Sequence, residues 1–198
     1  MGWKYNPAEI NGQTLTIGID LATMNGGTRP PASMCHTGGA PAQLAADGVN
    51  ATPVITEIYV AAVIVPFTVL CTGISVFNGS DSTNKIKVGL FDVAGTLLRA
   101  SAAAGTQLSG TDAYQDIAFA LDGANGAATT ISLPTGTYYV GTIHDGTTTR
   151  FNAWGVGRFP TRRVTGAVFA TAFSTTSLTI TPPTTFTIAD LPPIASLY

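Results

Sequence analysis

Histidines come first in a search for catalysis, because an imidazole can act as a base or a metal ligand near neutral pH. The chain has two, His36 and His144. His36 follows Cys35, which suggests a Cys–His nucleophile pair, but sequence neighbours seldom meet as catalytic partners. His144 precedes Asp145 and offers half of a serine-hydrolase triad. Asp145-Gly146 is also a typical turn dipeptide, and no Gly-x-Ser-x-Gly sequence selects a nucleophile.

Acidic residues are the next candidates, because paired carboxylates would indicate a glycosidase. Most of them flank glycine or lie at strand ends, where aspartate caps turns, and no pair must be brought together by the fold. These residues are Glu57, Asp92, Asp112, Asp116, Asp122 and Asp145. The segment 81–84 (DSTN) offers oxygen ligands for Ca²⁺ but lacks the twelve-residue spacing that ends in glutamate. The sequence therefore predicts no enzyme, no cofactor and no metal site.

The charge balance argues against nucleic acid as a partner. Charged residues make up 10% of the chain, the net charge is −2, and the single basic cluster is Arg158, Arg162 and Arg163. A nucleic-acid-binding surface needs a basic face, so we interpret this cluster as a solvated loop or a subunit contact. Low charge with a mean hydropathy of +0.30 indicates a surface hidden in a homo-oligomer or a larger assembly.

One uncharged segment, residues 58–80, is long enough to cross a bilayer as a helix. It contains Pro66 and Gly73, is rich in β-branched residues and has no basic residue at either flank. Two buried strands broken at Pro66 fit these features better. The N-terminal residues also lack the apolar core of a signal peptide. We therefore expect no membrane partner and no export through a cleavable signal.

The pattern of the chain divides it into three parts. Residues 1–53 are rich in glycine, proline and alanine and predict an extended N-terminal arm. Residues 54–181 show short alternating segments separated by turns, which predict an antiparallel β-sandwich of jelly-roll type. Residues 182–198 contain two Pro-Pro pairs and predict an extended C-terminal tail. The fold class is therefore all-β, with a sandwich between two extended ends.

Individual strands can also be predicted. Residues 85–91 (KIKVGLF) alternate so that Lys85 and Lys87 point outward from a half-buried strand. Residues 67–77 predict one long strand. Residues 137–144 and 147–154 predict a hairpin across Asp145-Gly146.

Four aromatic residues fall within that predicted hairpin: Tyr138, Tyr139, Phe151 and Trp154. If Tyr139 and Trp154 are exposed, their rings offer a platform on which sugars could stack, because each has a flat apolar body and a polar edge. Packing in the core is the alternative interpretation of the same residues.

Two segments resemble jelly-roll modules of tailed-bacteriophage virion proteins. In residues 85–97 (KIKVGLFDVAGTL) a strand, an Asp-x-x-Gly turn and a second strand occur in order, and residues 133–141 (LPTGTYYVG) contain the Pro-x-Gly-Thr-Tyr-Tyr strand. The closing residues 191–198 (LPPIASLY) are similar to the tails of such proteins. The resemblance covers about residues 54–198, and related strands occur in carbohydrate-binding sandwiches. It implies a capsid decoration (cement) protein or part of a head or tail fibre, usually homo-oligomeric.

Our leading hypothesis is a non-enzymatic virion component, assembled in the host cytoplasm, that decorates a capsid by binding the major capsid protein or another virion protein. Its contacts are expected in the arm and the tail, where extended segments can add strands to a neighbour. The predicted contact residues are Trp3, Tyr5, Leu15, Ile17, Ile19, Leu197 and Tyr198. One alternative is a glycan- or receptor-binding fibre module that uses Tyr139 and Trp154. Another is an esterase or depolymerase built around His144.

Overall fold

The computed structural model describes residues 35, 37, 49–153, 166–170, 180 and 191–198, with the backbone alone for 166–170. Within these ranges every regular element is a β-strand. All strand pairs are antiparallel. The predicted all-β, antiparallel sandwich is thereby confirmed.

The strands of the described ranges follow one another closely along the chain. In order they are β1 (Val49–Ala51), β2 (Glu57–Val65), β3 (Val69–Cys71), β4 (Gly73–Phe77), β5 (Lys85–Phe91), β6 (Leu97–Ala100), β7 (Thr106–Gln107), β8 (Tyr114–Ala118), β9 (Leu121–Asp122), β10 (Ile131–Leu133), β11 (Gly136–His144), β12 (Phe151–Ala153), β13 (Gly166–Ala170) and β14 (Ala195–Leu197).

These strands form one large sheet and one small sheet. The large sheet has the order β13-β2-β11-β5-β6-β9, with β7 also paired to β5, and the small sheet has the order β14-β4-β8. Two ladders, β1-β12 and β3-β10, complete the arrangement. The chain passes repeatedly between the sheets: β2 lies in the large one, β4 in the small one and β5 in the large one again.

The uncharged segment 58–80 forms strands, and Pro66 separates them as predicted, because β2 ends at Val65. The single long strand expected over residues 67–77 is wrong. It divides at Thr72 into β3, which pairs with β10, and β4, which pairs with β8 and β14. The chain changes partners there because each half completes a different ladder.

The hairpin predicted across Asp145-Gly146 is also wrong. β11 is hydrogen-bonded to β2 along one edge and to β5 along the other. A strand has only two edges, so the residues after the turn cannot pair back onto β11. β12 pairs with β1 instead.

The main core lies between the two sheets. Its members include Val63, Val88 and Val140 from the large sheet and Ile74 and Leu197 from the small sheet, all fully buried. Each such aliphatic side chain contributes about 1.5–3 kcal/mol when it leaves water. Interleaved aliphatic residues from both layers therefore hold the sandwich together.

The large sheet is buried on its outer face as well. Ile58, Phe91, Tyr139 and Ile143 form a second cluster there. Ile180, which lies outside the sheet, belongs to the same cluster and donates its backbone N–H to the Gly95 carbonyl at 3.0 Å. The large sheet therefore has buried apolar residues on both of its faces.

This second cluster corrects the prediction for Lys87. Lys85 is exposed as expected, but Lys87 is only 6% exposed, opposite Ile143 on the outer face. Burial lowers the pKa of Lys87, whereas the Asp145 carboxylate acts to raise it. Sequence alternation identified the strand correctly, but it could not show that the outer face is covered.

Both predicted extended ends contribute to the sandwich. Thr37, which is fully buried, donates its N–H to the Ala195 carbonyl at 2.9 Å, and its hydroxyl accepts the Ala195 N–H at 3.0 Å. Cys35 accepts the Leu197 N–H at 3.1 Å. Ala51 belongs to a third buried cluster at one end of the sandwich. The domain therefore includes parts of both segments that the sequence predicted to be separate from it, namely 1–53 and 182–198.

The tail contains two predicted contact residues, and the prediction that Leu197 contacts a partner is wrong. Leu197 is 0% exposed in the main core, because β14 pairs with β4 and turns its side chain inward. Tyr198 is half-buried, and its ring lies against Gly73, where an added β-carbon would clash with it. Its role as a partner contact stays a prediction.

Candidate interaction surface

His144 lies in a position unsuited to catalysis. The side chain is 1% exposed, and its ring stacks on Phe151 with centroids 5.2 Å apart. Neither ring nitrogen has a hydrogen-bond partner within the described residues. Burial lowers the pKa of His144 to about 3, so the imidazole is neutral at physiological pH. No serine hydroxyl in this part of the chain is placed to be activated by it.

Three of the candidate acids accept backbone N–H groups at turns or at the start of a strand. The Asp92 carboxylate accepts the N–H groups of Ala94 and Thr96 at 2.9 and 2.8 Å. Asp122 makes the same pair of bonds two and four residues ahead, and Asp145 accepts the Lys85 N–H at 2.6 Å. These carboxylates satisfy backbone donors where strands end. They are used in these backbone hydrogen bonds and are not arranged as a catalytic pair.

The loop 81–84 is likewise occupied by internal hydrogen bonds. The Asp81 carboxylate accepts the Thr83 N–H at 3.0 Å, and the Asn84 side-chain oxygen accepts from Thr148 and Thr149 at 2.8 and 2.9 Å. Among the described residues, no group of three or more histidine, cysteine or acidic side chains is placed to hold a metal ion.

The two cysteines are buried, free thiols. Burial raises the pKa of Cys35 to about 11 and that of Cys71 to about 12, so neither forms the thiolate that a nucleophile requires. His36, the proposed partner of Cys35, lies outside the described residues.

Several predicted contact residues lie outside the described residues: Trp3, Tyr5, Leu15, Ile17, Ile19, Trp154, Arg158, Arg162 and Arg163. Tyr139 is described, and the prediction of an exposed stacking ring is wrong. It is 7% exposed within the outer cluster, because that face of β11 is covered. In addition, β11 and β12 are not paired, so Tyr139 and Phe151 do not lie on adjacent strands of one hairpin.

The most distinctive surface of the described chain is a bend that we call the uncharged corner, residues 64–72 and 129–137. Here the ladder of β2 and β11 gives way to the ladder of β3 and β10. The two segments turn side by side at Pro66 and Pro134, and the Thr135 hydroxyl donates to the Pro66 carbonyl at 3.5 Å. Neither segment contains a charged residue. At its margin the Arg99 guanidinium donates to the Thr130 carbonyl at 3.0 Å.

Large apolar side chains are exposed on this corner. Ile64 is 64% exposed, Leu70 is 63% exposed and Phe67, between them, is 39% exposed. Their cross-strand neighbours Thr137 and Ser132 are exposed as well. Large apolar side chains exposed on uncharged segments are typical of protein–protein contact surfaces, since interface cores are depleted in charge.

Sequence reasoning missed this surface because it treated residues 58–80 as buried throughout. The alternation of residues along β2 and β3 did, however, indicate which side chains point outward. Val63, Val65, Val69 and Cys71 point inward, so Ile64 and Leu70 must point the other way. Two uncharged stretches, 58–80 and 123–144, are strand partners over part of their length, which brings their uncharged residues next to one another.

Comparisons with known proteins provide no relative: no family model, curated protein or solved structure matches the chain. The part of the chain that the structure describes contains no helix of the length and apolarity that a membrane span requires.

Proposed function

We propose that this chain is a non-enzymatic structural protein of a phage virion that binds the capsid, or another virion protein, through the uncharged corner. The observation that carries the contact role is the exposure of Ile64 and Leu70 on two paired segments that contain no charged residue. The virion setting rests on the resemblance of residues 85–97 and 133–141 to phage jelly-roll modules. A rigid sandwich presenting one apolar surface suits attachment to a repeating shell.

The candidate catalytic groups support the non-enzymatic part of the proposal. His144 is buried and neutral, Asp92 and Asp122 cap turns, and Asp145 accepts a backbone N–H of β5. The glycan-binding alternative loses one of its two aromatic residues, since Tyr139 is buried. A contact role needs none of these groups and uses only the exposed surface.

Repetition would compensate for a contact of modest size. Three partly exposed apolar side chains bury too little area for tight binding by one subunit. On a shell, neighbouring copies that also touch one another act through a raised effective concentration. We therefore propose homo-oligomers or symmetric clusters on the shell as the bound form.

Cosedimentation tests this proposal. The purified chain is mixed with shells assembled from the major capsid protein encoded in the same genome, at 50 mM and at 500 mM NaCl. We expect saturable binding that changes less than about threefold between the two salts, since screening weakens ion pairs but not apolar contacts. Absence of the chain from the pelleted shells at both salts would contradict the proposed function.

A further inference from the structure

His144 is a buried titratable group that the proposed function does not use. It is the last residue of β11, and its ring crosses from the large sheet to meet Phe151 of β12. Phe151 in turn packs on Tyr59 with centroids 4.8 Å apart. These aromatic rings, with Ala51 and Ala153, fill one end of the sandwich. The imidazole therefore lies where the β1-β12 ladder meets the large sheet.

The surroundings of this ring suit only its neutral form. A protonated imidazole carries two N–H donors, and neither nitrogen has a partner among the described residues. Strands β1 and β12 contribute no titratable side chain. The neighbouring carboxylates are engaged elsewhere: Asp145 accepts the Lys85 N–H, and Glu57 accepts the Tyr59 hydroxyl at 2.6 Å.

The remaining charged groups on the adjacent elements are cationic and are directed elsewhere. Lys85 and Lys87 flank Ile86, the residue of β5 opposite His144, so their side chains point to the other face of the large sheet. Arg150 precedes Phe151, and its guanidinium donates to the Thr52 hydroxyl. No carboxylate is hydrogen-bonded to the imidazole, so no described anion would compensate an imidazolium at this position. Protonation therefore requires the ring to reach water.

We propose that His144 makes this end of the sandwich open in acid: protonation moves the ring out of contact with Phe151 and releases the β1-β12 ladder, while the main core stays closed. The direction follows from linkage. The ring titrates near 6.5 when it is open to water but stays neutral in the closed form. Only the open form gains a proton as the pH falls below 6.5, so acid favours opening.

The proposal is limited to the β1-β12 end because the main core contains no comparable group at its centre. Central pairs of the main core, such as Val140 and Leu90, are fully buried aliphatic residues. Within the described residues, β12 forms a ladder with β1 only; isolated bridges link Phe151 to Asn78 and Ala153 to Pro193, and the Asn152 amide donates to the Asn78 carbonyl at 2.7 Å.

Hydrogen exchange at pH 8 and pH 5, corrected for intrinsic exchange rates, tests the proposal on the full chain. Amides of residues 49–51 and 151–153 should lose protection about 30-fold at pH 5, the ratio expected for a group of pKa 6.5 that is protonated only in the open form. Amides at the centre of β2 and β11 should change much less. His144→Phe, which keeps an aromatic ring without a titratable nitrogen, should abolish the loss.

An equal loss of protection in parent and His144→Phe, or an equal loss in all strands of the parent, would overturn the proposal. If the variant does not fold, an NMR titration of the parent imidazole decides instead. A His144 ring that stays neutral below pH 5 in the closed protein, while the β1-β12 amides lose protection, supports the proposal. A ring that titrates at 6 or above without loss of protection contradicts it.

Discussion

The Leu70→Glu variant should bind capsid shells at least about a hundredfold more weakly than the parent while remaining equally stable. Leu70 is 63% exposed on the uncharged corner, and Ser132 lies opposite it. A carboxylate placed in an apolar contact must lose water without gaining a partner, which costs several kcal/mol. Since about 1.4 kcal/mol corresponds to a tenfold change in affinity, two or more factors of ten should be lost.

The matched control is Ile55→Glu. Ile55 is 44% exposed and lies before β2, whereas Ile64 lies near the end of this nine-residue strand. At about 3.3 Å per residue, the seven steps from Glu57 to Ile64 alone span roughly 23 Å. Both variants add the same charge to an exposed apolar site. Equal loss of shell binding in both, measured by cosedimentation, would show that the effect is general repulsion and not a contact at the corner.

The Phe91→Ala variant should lose about 3–5 kcal/mol of unfolding free energy, the usual cost of removing a fully buried phenylalanine. Phe91 is 0% exposed on the outer face of the large sheet. Its ring covers Gly89 and Gly141, which lie directly opposite each other on β5 and β11. Neither glycine has a side chain that could fill the space left by the ring, so the cavity would stay open.

Denaturant unfolding measures this loss, with Phe67→Ala as the control. That variant removes the same atoms from a side chain that is 39% exposed on the uncharged corner. It should cost about 1 kcal/mol or less, as expected for a surface substitution. Similar costs for the two variants would mean that the outer face of the large sheet is not a true core.

The sequence was sufficient for features set by local pattern. Residues 85–91 alternate regularly, and β5 has the predicted bounds. Pro66 lacks the N–H that a strand needs, and β2 ends just before it. These predictions succeeded because strand propensity and proline chemistry act within a few residues.

Features set by competition between distant segments could not be predicted. The turn at Asp145-Gly146 suggested a hairpin, but β2 and β5 already occupy both edges of β11. Leu197 follows two prolines, a pattern that predicts an extended tail, yet its strand pairs with β4. Lys87 is buried because the face of β5 that it shares with the outer cluster is covered. Each outcome requires knowledge of which segments meet.

The uncharged corner could be predicted from the sequence only in part. Alternation fixes Ile64 and Leu70 on the side opposite the inward valines, so their orientation was predictable. Their exposure was not, because Ile58 and Val60 point to the same side of β2 as Ile64 and are buried by the outer cluster. Only the fold shows that this cover ends before residue 64.

Electron cryomicroscopy of shells saturated with the chain tests most directly the claim that it binds through the uncharged corner. We expect density in which residues 64–72 and 129–137 face the shell, with Ile64 and Leu70 in contact with it. The contradictory result is a bound sandwich that points this corner toward solvent and meets the shell through another surface.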